Sequence, residues 1–216
     1  MENTERRGLV VASADAQSLS HFSVRPAVVV AVDRGLHPVL DRGWRPDCVV
    51  GDMDSVDPAV LAAAERSGVV VERHPMDKDE SDLELGLAAA RRLGVTDVHV
   101  VARDGGRLDH QIANLAVLAS PRLEPMRVSA TIGDHRVWIV RGSLELHLEV
   151  GSHLAIQPVG GSATVSTDGV AFPLERDVLS AFEARGIANT VVDDLVRLEV
   201  TSGVVLVIAS PPEPTG

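Results

Sequence analysis

Five short valine-rich runs in the first half of the chain, residues 8–12, 27–32, 48–50, 68–71 and 98–102, restrict its folding more than any other feature. Each has the length and the near-continuous apolar character of a strand buried on both faces. Stretches with helical spacing lie between or after them, at 57–67, 82–93 and 109–119. Strand and helix in alternation imply a mostly parallel sheet with helices on both faces and right-handed connections. Sheets of that kind bind ligands outside the carboxyl ends of their strands, where Asp33, Asp52 and Asp54 fall.

After about residue 127 the helical spacing fades and short alternating runs take over, at 136–140, 144–150, 153–158, 163–167, 195–200 and 204–209. Separated by Gly, Ser and Asp, they predict a small antiparallel sandwich or barrel. The expected organisation is an α/β domain over 1–126, a small all-β sandwich domain over 127–210, and a disordered tail over 211–216, with the boundary inside 121–134. No internal repeat is visible.

A chain of 216 residues can bury a proper core, and its net charge of −11 argues against a nucleic-acid surface, which needs clustered Lys and Arg. An anionic substrate would have to meet local cations or a metal. The single cysteine, Cys48, permits no internal disulfide and suits a reducing compartment. The polar start and the short apolar run behind it suit neither a signal peptide nor a membrane span, so a cytoplasmic protein is expected. Tyrosine is absent, and ring stacking falls to Trp44, Trp138, Phe22, Phe172 or Phe182.

Chemistry concentrates in three blocks. In Gly51-Asp52-Met53-Asp54-Ser55 an apolar run ends in two carboxylates one residue apart, which point the same way if extended geometry continues through them. Such oxygen ligands suit Mg²⁺, which leaves room for substrate phosphates, and Gly51 admits a bulky anion. The same string also turns a chain and caps a helix. The second block, Asp77 to Glu84, precedes a helix, and Ser81 with Glu84 forms a capping box. Capping needs only one or two of its charges, and the surplus carboxylates beside Lys78 call for a cation. In the third, Arg103-Asp104-Gly105-Gly106-Arg107-Leu108-Asp109-His110, the glycines allow close backbone approach and Arg107 can fork onto phosphate oxygens. A plain turn with Asp109 as cap explains the glycines but leaves Arg107 and His110 without a role. Asp33-Arg34-Gly35 reads equally as a site or as a simple turn, and the histidines show no zinc spacing.

In this order and at these spacings, Gly51-Asp52-Met53-Asp54-Ser55, Lys78-Asp79-Glu80-Ser81-Asp82 and Gly105-Gly106-Arg107-Leu108-Asp109-His110 resemble the signature blocks of the thiamine pyrophosphokinase family. The resemblance runs from Asp33 into the second domain. It implies Mg²⁺-dependent transfer of a pyrophosphoryl group from ATP to the hydroxyl of thiamine, with release of AMP. It further implies that Asp52, Asp54 and Asp82 hold the metal and that Ser81, Arg107 and the block containing Asp109 meet the nucleotide. Asp33 or Asp79 would accept the hydroxyl proton. The β domain of such proteins supplies part of the thiamine pocket, usually across a homodimer. Residues 169–174 are similar to the segment that carries an aromatic there, which places Phe172 against thiamine, a cation–π contact. Residues 186–190, with Asn189 and Thr190, resemble a second pocket segment. Ala188 stands where the family commonly has Ser, and Arg34 where a second Gly follows the Asp. A lost hydroxyl removes one hydrogen bond, worth about 0.5–1.5 kcal/mol net.

Other readings stay open at this point. A Mg²⁺-dependent phosphohydrolase or nucleotide-sugar transferase also uses Asp-x-Asp at a strand end, but leaves residues 105–110 without a task. A pyrophosphokinase for another hydroxyalkyl heterocycle, or a non-catalytic nucleotide- or thiamine-binding homologue, fits the departures at Arg34 and Ala188. The expected partners are ATP, thiamine and a second copy of the chain in a homodimer, with no nucleic acid and no membrane.

Overall fold

The computed structural model describes residues 5–212, so the part of the expected tail from Glu213 onward lies outside the described residues. The chain divides into two compact units, Met1–Gly133 and Asp134–Gly216.

In the first unit β1 (Arg7–Ala12), β2 (Val28–Val32), α1 (Leu36–Asp41), β3 (Cys48–Gly51), α2 (Pro58–Arg66), β4 (Val70–Arg73), α3 (Asp82–Arg92), β5 (Asp97–Ala102), α4 (Leu108–Leu118) and β6 (Arg127–Ile132) succeed one another. The strands pair in the order β6-β5-β1-β2-β3-β4, every pair parallel. Successive residues of the central strands are buried on opposite faces of the sheet. Leu9, Val11, Val29, Ala31 and Val49 share a core cluster with Leu36 and Val39 of α1 and Leu61 and Ala64 of α2. Val10 and Val32 instead lie against α3 at Gly86, where an added Cβ would come 2.5 Å from Val32 Cγ2.

The helices start where local chemistry dictates. The Asp57 side chain caps α2 by accepting from the N–H groups of Ala59 and Val60, with Pro58 in the first turn. Ser81 caps α3 by accepting from the Glu84 N–H at 3.2 Å, while the Glu84 carboxylate, expected to complete the box, pairs with Arg122. In α4 the expected cap Asp109 lies inside the first turn and Arg107 takes the cap position without a side-chain bond. Of its expected apolar face, Leu118 is buried but Ile112 is 60% exposed.

The first unit runs to Gly133 and includes β6, which pairs with β5 along its whole length. On that pair His99 lies between the hydroxyls of Ser129 and Thr131, each 2.9 Å from a ring nitrogen. This polar face hides β6 from a search for apolar runs.

In the second unit β7 (His135–Val140), β8 (Ser143–His147), β9 (His153–Pro158), β10 (Ala163–Asp168), β11 (Asp177–Leu179), β12 (Asn189–Thr190), β13 (Leu195–Ser202) and β14 (Val205–Ser210) form two antiparallel sets, β12-β9-β14-β7 and β11-β10-β13-β8. Inward-facing residues of both sets, among them Ile156, Val207, Val165 and Leu198, join in one buried cluster. β8 stops at His147, short of the expected residue 150, where a turn begins.

Gly35 presses directly on the backbone of β1, since an added Cβ would lie 2.0 Å from the Val11 carbonyl oxygen. Gly35→Ala is therefore expected to cost about 1–3 kcal/mol through overpacking against backbone. Gly142→Ala, which meets nothing within 4 Å, should be close to neutral. Urea midpoints check the pair, and equal stability in both variants would refute the close approach.

Candidate active site

The carboxyl ends of β1, β2, β3 and β5 deliver the functional side chains. β2 gives way to a single 3₁₀ turn, Asp33–Gly35, whose first residue has φ +45°. β3 stops at Gly51, at φ +146°, and Met53 comes next but one at φ +64°. Extended geometry thus ends before Asp52, so Asp52 and Asp54 are not brought together by the pleat, as the sequence suggested. A turn does it instead. The Asp54 N–H donates to Asp52 Oδ1 at 3.1 Å and the Met53 N–H to Asp33 Oδ1 at 3.2 Å. Gly51 is required because Asp33 lies across it, with Oδ1 only 1.7 Å from where a Cβ would stand.

Asp82, in the first turn of α3, completes the group. Lys78 Nζ lies 2.9 Å from Asp82 Oδ1, with the lysine side chain only 11% exposed. That contact is an ion pair by distance, yet Asp82 Oδ1 is buried without an aligned hydrogen-bond donor. Lys78 also donates to the Pro75 carbonyl at 3.2 Å. Burial works against its charge, but Asp82, with Asp52 and Asp33 behind it, holds its proton affinity above the ordinary lysine value.

The carboxylates act on one another in turn. Asp33 is pushed up from 3.8 to about 6, first by burial and then by the charge of Asp82, with Asp52 adding to it. Asp54 is raised by Asp52 first, with Asp82 contributing and Arg34 opposing. Among the described residues, no three carboxylate, imidazole or thiol groups stand close enough together, as arranged here, to ligate one ion. Asp52, Asp54 and Asp82 are therefore neighbours in charge but not yet a closed ligand set.

Of the other expected residues, Ser81 and Asp79 belong to the segment that carries Lys78 and Asp82, while Arg107 and Asp109 pair with each other. Ser81 caps α3, so its hydroxyl oxygen is already engaged by a backbone N–H. Asp79 is exposed in the loop that carries Lys78. Arg107 forks onto Asp109, Nε to Oδ1 at 3.1 Å and Nη2 to Oδ2 at 2.5 Å, in the open. That pairing holds the Asp109 carboxyl down at about 2. Gly105 and Gly106, at φ +80° and +85°, leave the loop before α4 unobstructed.

β1 and β5 are neighbours whose onward connections run to opposite sides of the sheet, which makes their carboxyl ends the topological switch point. A cleft of about 280 Å³ lies there, lined in part by Ser13, Arg34, His37 and Arg103 together with Asp15 and Asp41. Arg34 and Arg103 place two positive charges at this cleft of an acidic chain. Sequence reasoning assigned neither of them, and Ser13, at φ +53°, carries no motif. A larger groove, about 490 Å³ between α3 and the end of α4, is lined by Glu80 and Glu84 but by none of Asp33, Asp52, Asp54 and Asp82.

In the second unit Phe172 is 70% exposed and is not core. Asn189, expected to face a ligand, is buried and clasps Phe172 instead. Its Oδ1 accepts from the N–H groups of Phe172 and Thr190 at 3.0 and 2.9 Å, and its Nδ2 donates to the Phe172 carbonyl at 2.8 Å. Thr190 is half-buried, and its carbonyl accepts from Ala171. Ala188 is exposed at φ +58°.

Residues 20–130 match the family described as thiamin pyrophosphokinase, catalytic domain. This chain belongs to the thiamin pyrophosphokinase family. It is 27% identical over 178 residues to thiamine pyrophosphokinase 1 of Oryza sativa subsp. japonica, a match covering 77% of this chain and 67% of the rice protein. It is 29% identical over 100 residues to thiamine pyrophosphokinase of Bacillus subtilis, covering 46% and 47% of the two chains. The crystal structure of thiamine pyrophosphokinase from Bacillus subtilis superposes with a TM-score of 0.82 at 19% identity, over 94% of this chain and 98% of that one. The family fold thus extends through both units.

Asp33 gives the site a pH signature. A carboxyl that binds its proton more tightly folded than unfolded weakens the fold as pH rises, with no cost below the unfolded value and the full cost above the folded one. For Asp33 that window runs from 3.8 to about 6. With metal chelated, Asp33→Asn should gain stability relative to the parent across that window, checked by urea midpoints at its two ends. A constant difference would show that Asp33 is not under this repulsion.

Proposed function

We propose that this protein is a thiamine pyrophosphokinase, an enzyme that moves the pyrophosphoryl group of ATP onto the hydroxyl of thiamine, giving thiamine diphosphate and AMP. The observation that carries the reading is the group of Asp33, Asp52, Asp54 and Asp82 around Lys78, at the carboxyl ends of parallel strands, in a chain of this family. In this reading the first unit is an α/β catalytic domain with helices on both faces of its sheet, and the second a small thiamine-binding β-sandwich. The division of burial between the α1–α2 side and the α3 side supports the former, and the common core of two antiparallel sets the latter.

The donor set suits Mg²⁺: the candidate ligands are all carboxylate oxygens, and Asp82 Oδ1 is buried with no hydrogen bond of its own. Asp52, Asp54 and Asp82 would hold the ion, which supplies charge neutralisation on the triphosphate. The rest falls to the protein, which positions reactants and balances developing charge. Arg107, the Ser81 hydroxyl and N–H groups at the start of α4, beside Asp109, meet nucleotide phosphates. The thiamine oxygen attacks the β-phosphorus and the bond to the α-phosphate breaks, releasing AMP. Half-buried Asp33 and exposed Asp79 are the two groups offered to the hydroxyl proton. Phe172 presents its ring to the thiamine cation, and Asn189 and Thr190 fix the backbone that carries it.

The exposed Leu108 and Ile112 of α4, and Phe172, Phe182 and Ile187 of the second unit, support a homodimer. Cys48, buried and with its thiol pushed up to about 12 by burial and then by Glu72, is an inert core residue and suits a cytoplasmic setting. Among the described residues, no helix is long and apolar enough to cross a membrane.

Mass spectrometry of thiamine incubated with ATP, Mg²⁺ and the protein should show thiamine diphosphate and AMP in equal amounts. Phosphate or ADP as the nucleotide-derived product would refute the reading. Asp54→Asn should abolish turnover while the thermal transition without metal stays level or rises, because Asp54 is repelled by Asp52; a destabilised but active variant would contradict this. Phe172→Ala should raise the thiamine requirement and leave that for ATP unchanged, and equal weakening of both would count against its role.

A further inference from the structure

Resting on the reading just given, we propose that Lys78 is a phosphate-binding residue held in store. Its ammonium serves as the counter-ion of the carboxylate group while no metal is bound, and moves to a phosphate oxygen of the nucleotide when a divalent cation takes the carboxylates over.

Geometry carries the first half. Lys78 Nζ is 2.9 Å from Asp82 Oδ1 with its side chain almost wholly enclosed, and Asp33 and Asp52 also act on it. Lysine is seldom enclosed without a negative partner, and here it is the ammonium enclosed with those carboxylates.

Charge carries the second half. A divalent ion that takes Asp82 Oδ1 as ligand would stand beside an ammonium already 2.9 Å from that oxygen, and the two repel. The ammonium must leave, and among the described residues its other hydrogen bond is to the Pro75 carbonyl, which carries no net charge. The nearest new negative charge is the triphosphate held by the same ion. A four-carbon stem with three rotatable donors suits the short reach from carboxylate to phosphate. No bond is made or broken; an ion pair is exchanged.

The two halves predict effects of opposite sign on removing the charge. Titration of Mn²⁺, a spectroscopically visible substitute for Mg²⁺, into nucleotide-free protein should show Lys78→Met binding the ion about three- to tenfold more tightly than the parent, its internal competitor being gone. Steady-state kinetics should show the ATP KM of the same variant raised roughly tenfold or more, the loss of one charged hydrogen bond. Lys78→Arg should return both values toward the parent, and Lys78→Gln replaces the Met variant if that does not fold. Weaker Mn²⁺ binding in Lys78→Met would show that the residue only holds its loop together, and would overturn the proposal. Tighter Mn²⁺ binding with an unchanged ATP KM would overturn the transfer to phosphate. Absence of AMP and thiamine diphosphate with the parent protein would refute the proposed function itself, and the metal titration without nucleotide separates that failure from the others.

Discussion

Mutual repulsion among Asp33, Asp52, Asp54 and Asp82 is the constraint around which the first unit is arranged. Asp33 is displaced toward the protonated form by burial and then by Asp82 and Asp52, Asp54 is displaced first by Asp52, and Lys78 is the enclosed cation that opposes them. Groups that repel cost stability, and a fold keeps them together only where the backbone leaves no alternative. That backbone is built from close approaches. Gly35 lets the turn after β2 press against β1, and Gly51 lets the Asp33 carboxylate lie over the end of β3 and take the Met53 N–H.

The parallel sheet explains why those charges share one edge. β2 and β3 run side by side and end together, so the residues just past each strand arrive at the same rim. α3 starts at that rim through the Ser81 cap, which places Asp82 in its first turn and Lys78 just before it. At the switch point between β1 and β5, Arg34 and Arg103 line a cleft, and Arg34 acts on Asp54 as well. The arrangement suits a ligand that carries both metal and phosphate, as the nucleotide of a pyrophosphoryl transfer does.

Much of this was legible in the sequence for physical reasons. β1, β2, β3 and β5 are buried on both faces and had to be written as continuous apolar runs. The alternation of β9, β10 and β13 comes from one buried and one open face. β6 escaped because Ser129 and Thr131 face His99, and that polar pairing breaks the apolar signal. The two Asp residues after β3 were found for an incomplete reason, since the left-handed Met53 and the Asp33 carboxylate make the turn, and neither shows in a string of letters. Asn189 reads as a ligand-facing amide in a motif, whereas its burial and three hydrogen bonds make it the clasp of Phe172. Lys78 looked like one charge among many until its enclosure was seen.

A crystal structure with Mg²⁺ and a non-hydrolysable ATP analogue bears most directly on the electrostatic core of this account. Oxygens of Asp52, Asp54 and Asp82 should meet at one ion at about 2.0–2.1 Å, with triphosphate oxygens on its other positions and Lys78 turned from Asp82 onto a phosphate. Carboxylates still apart, with no shared ion and Lys78 still paired to Asp82 beside a bound nucleotide, would contradict it.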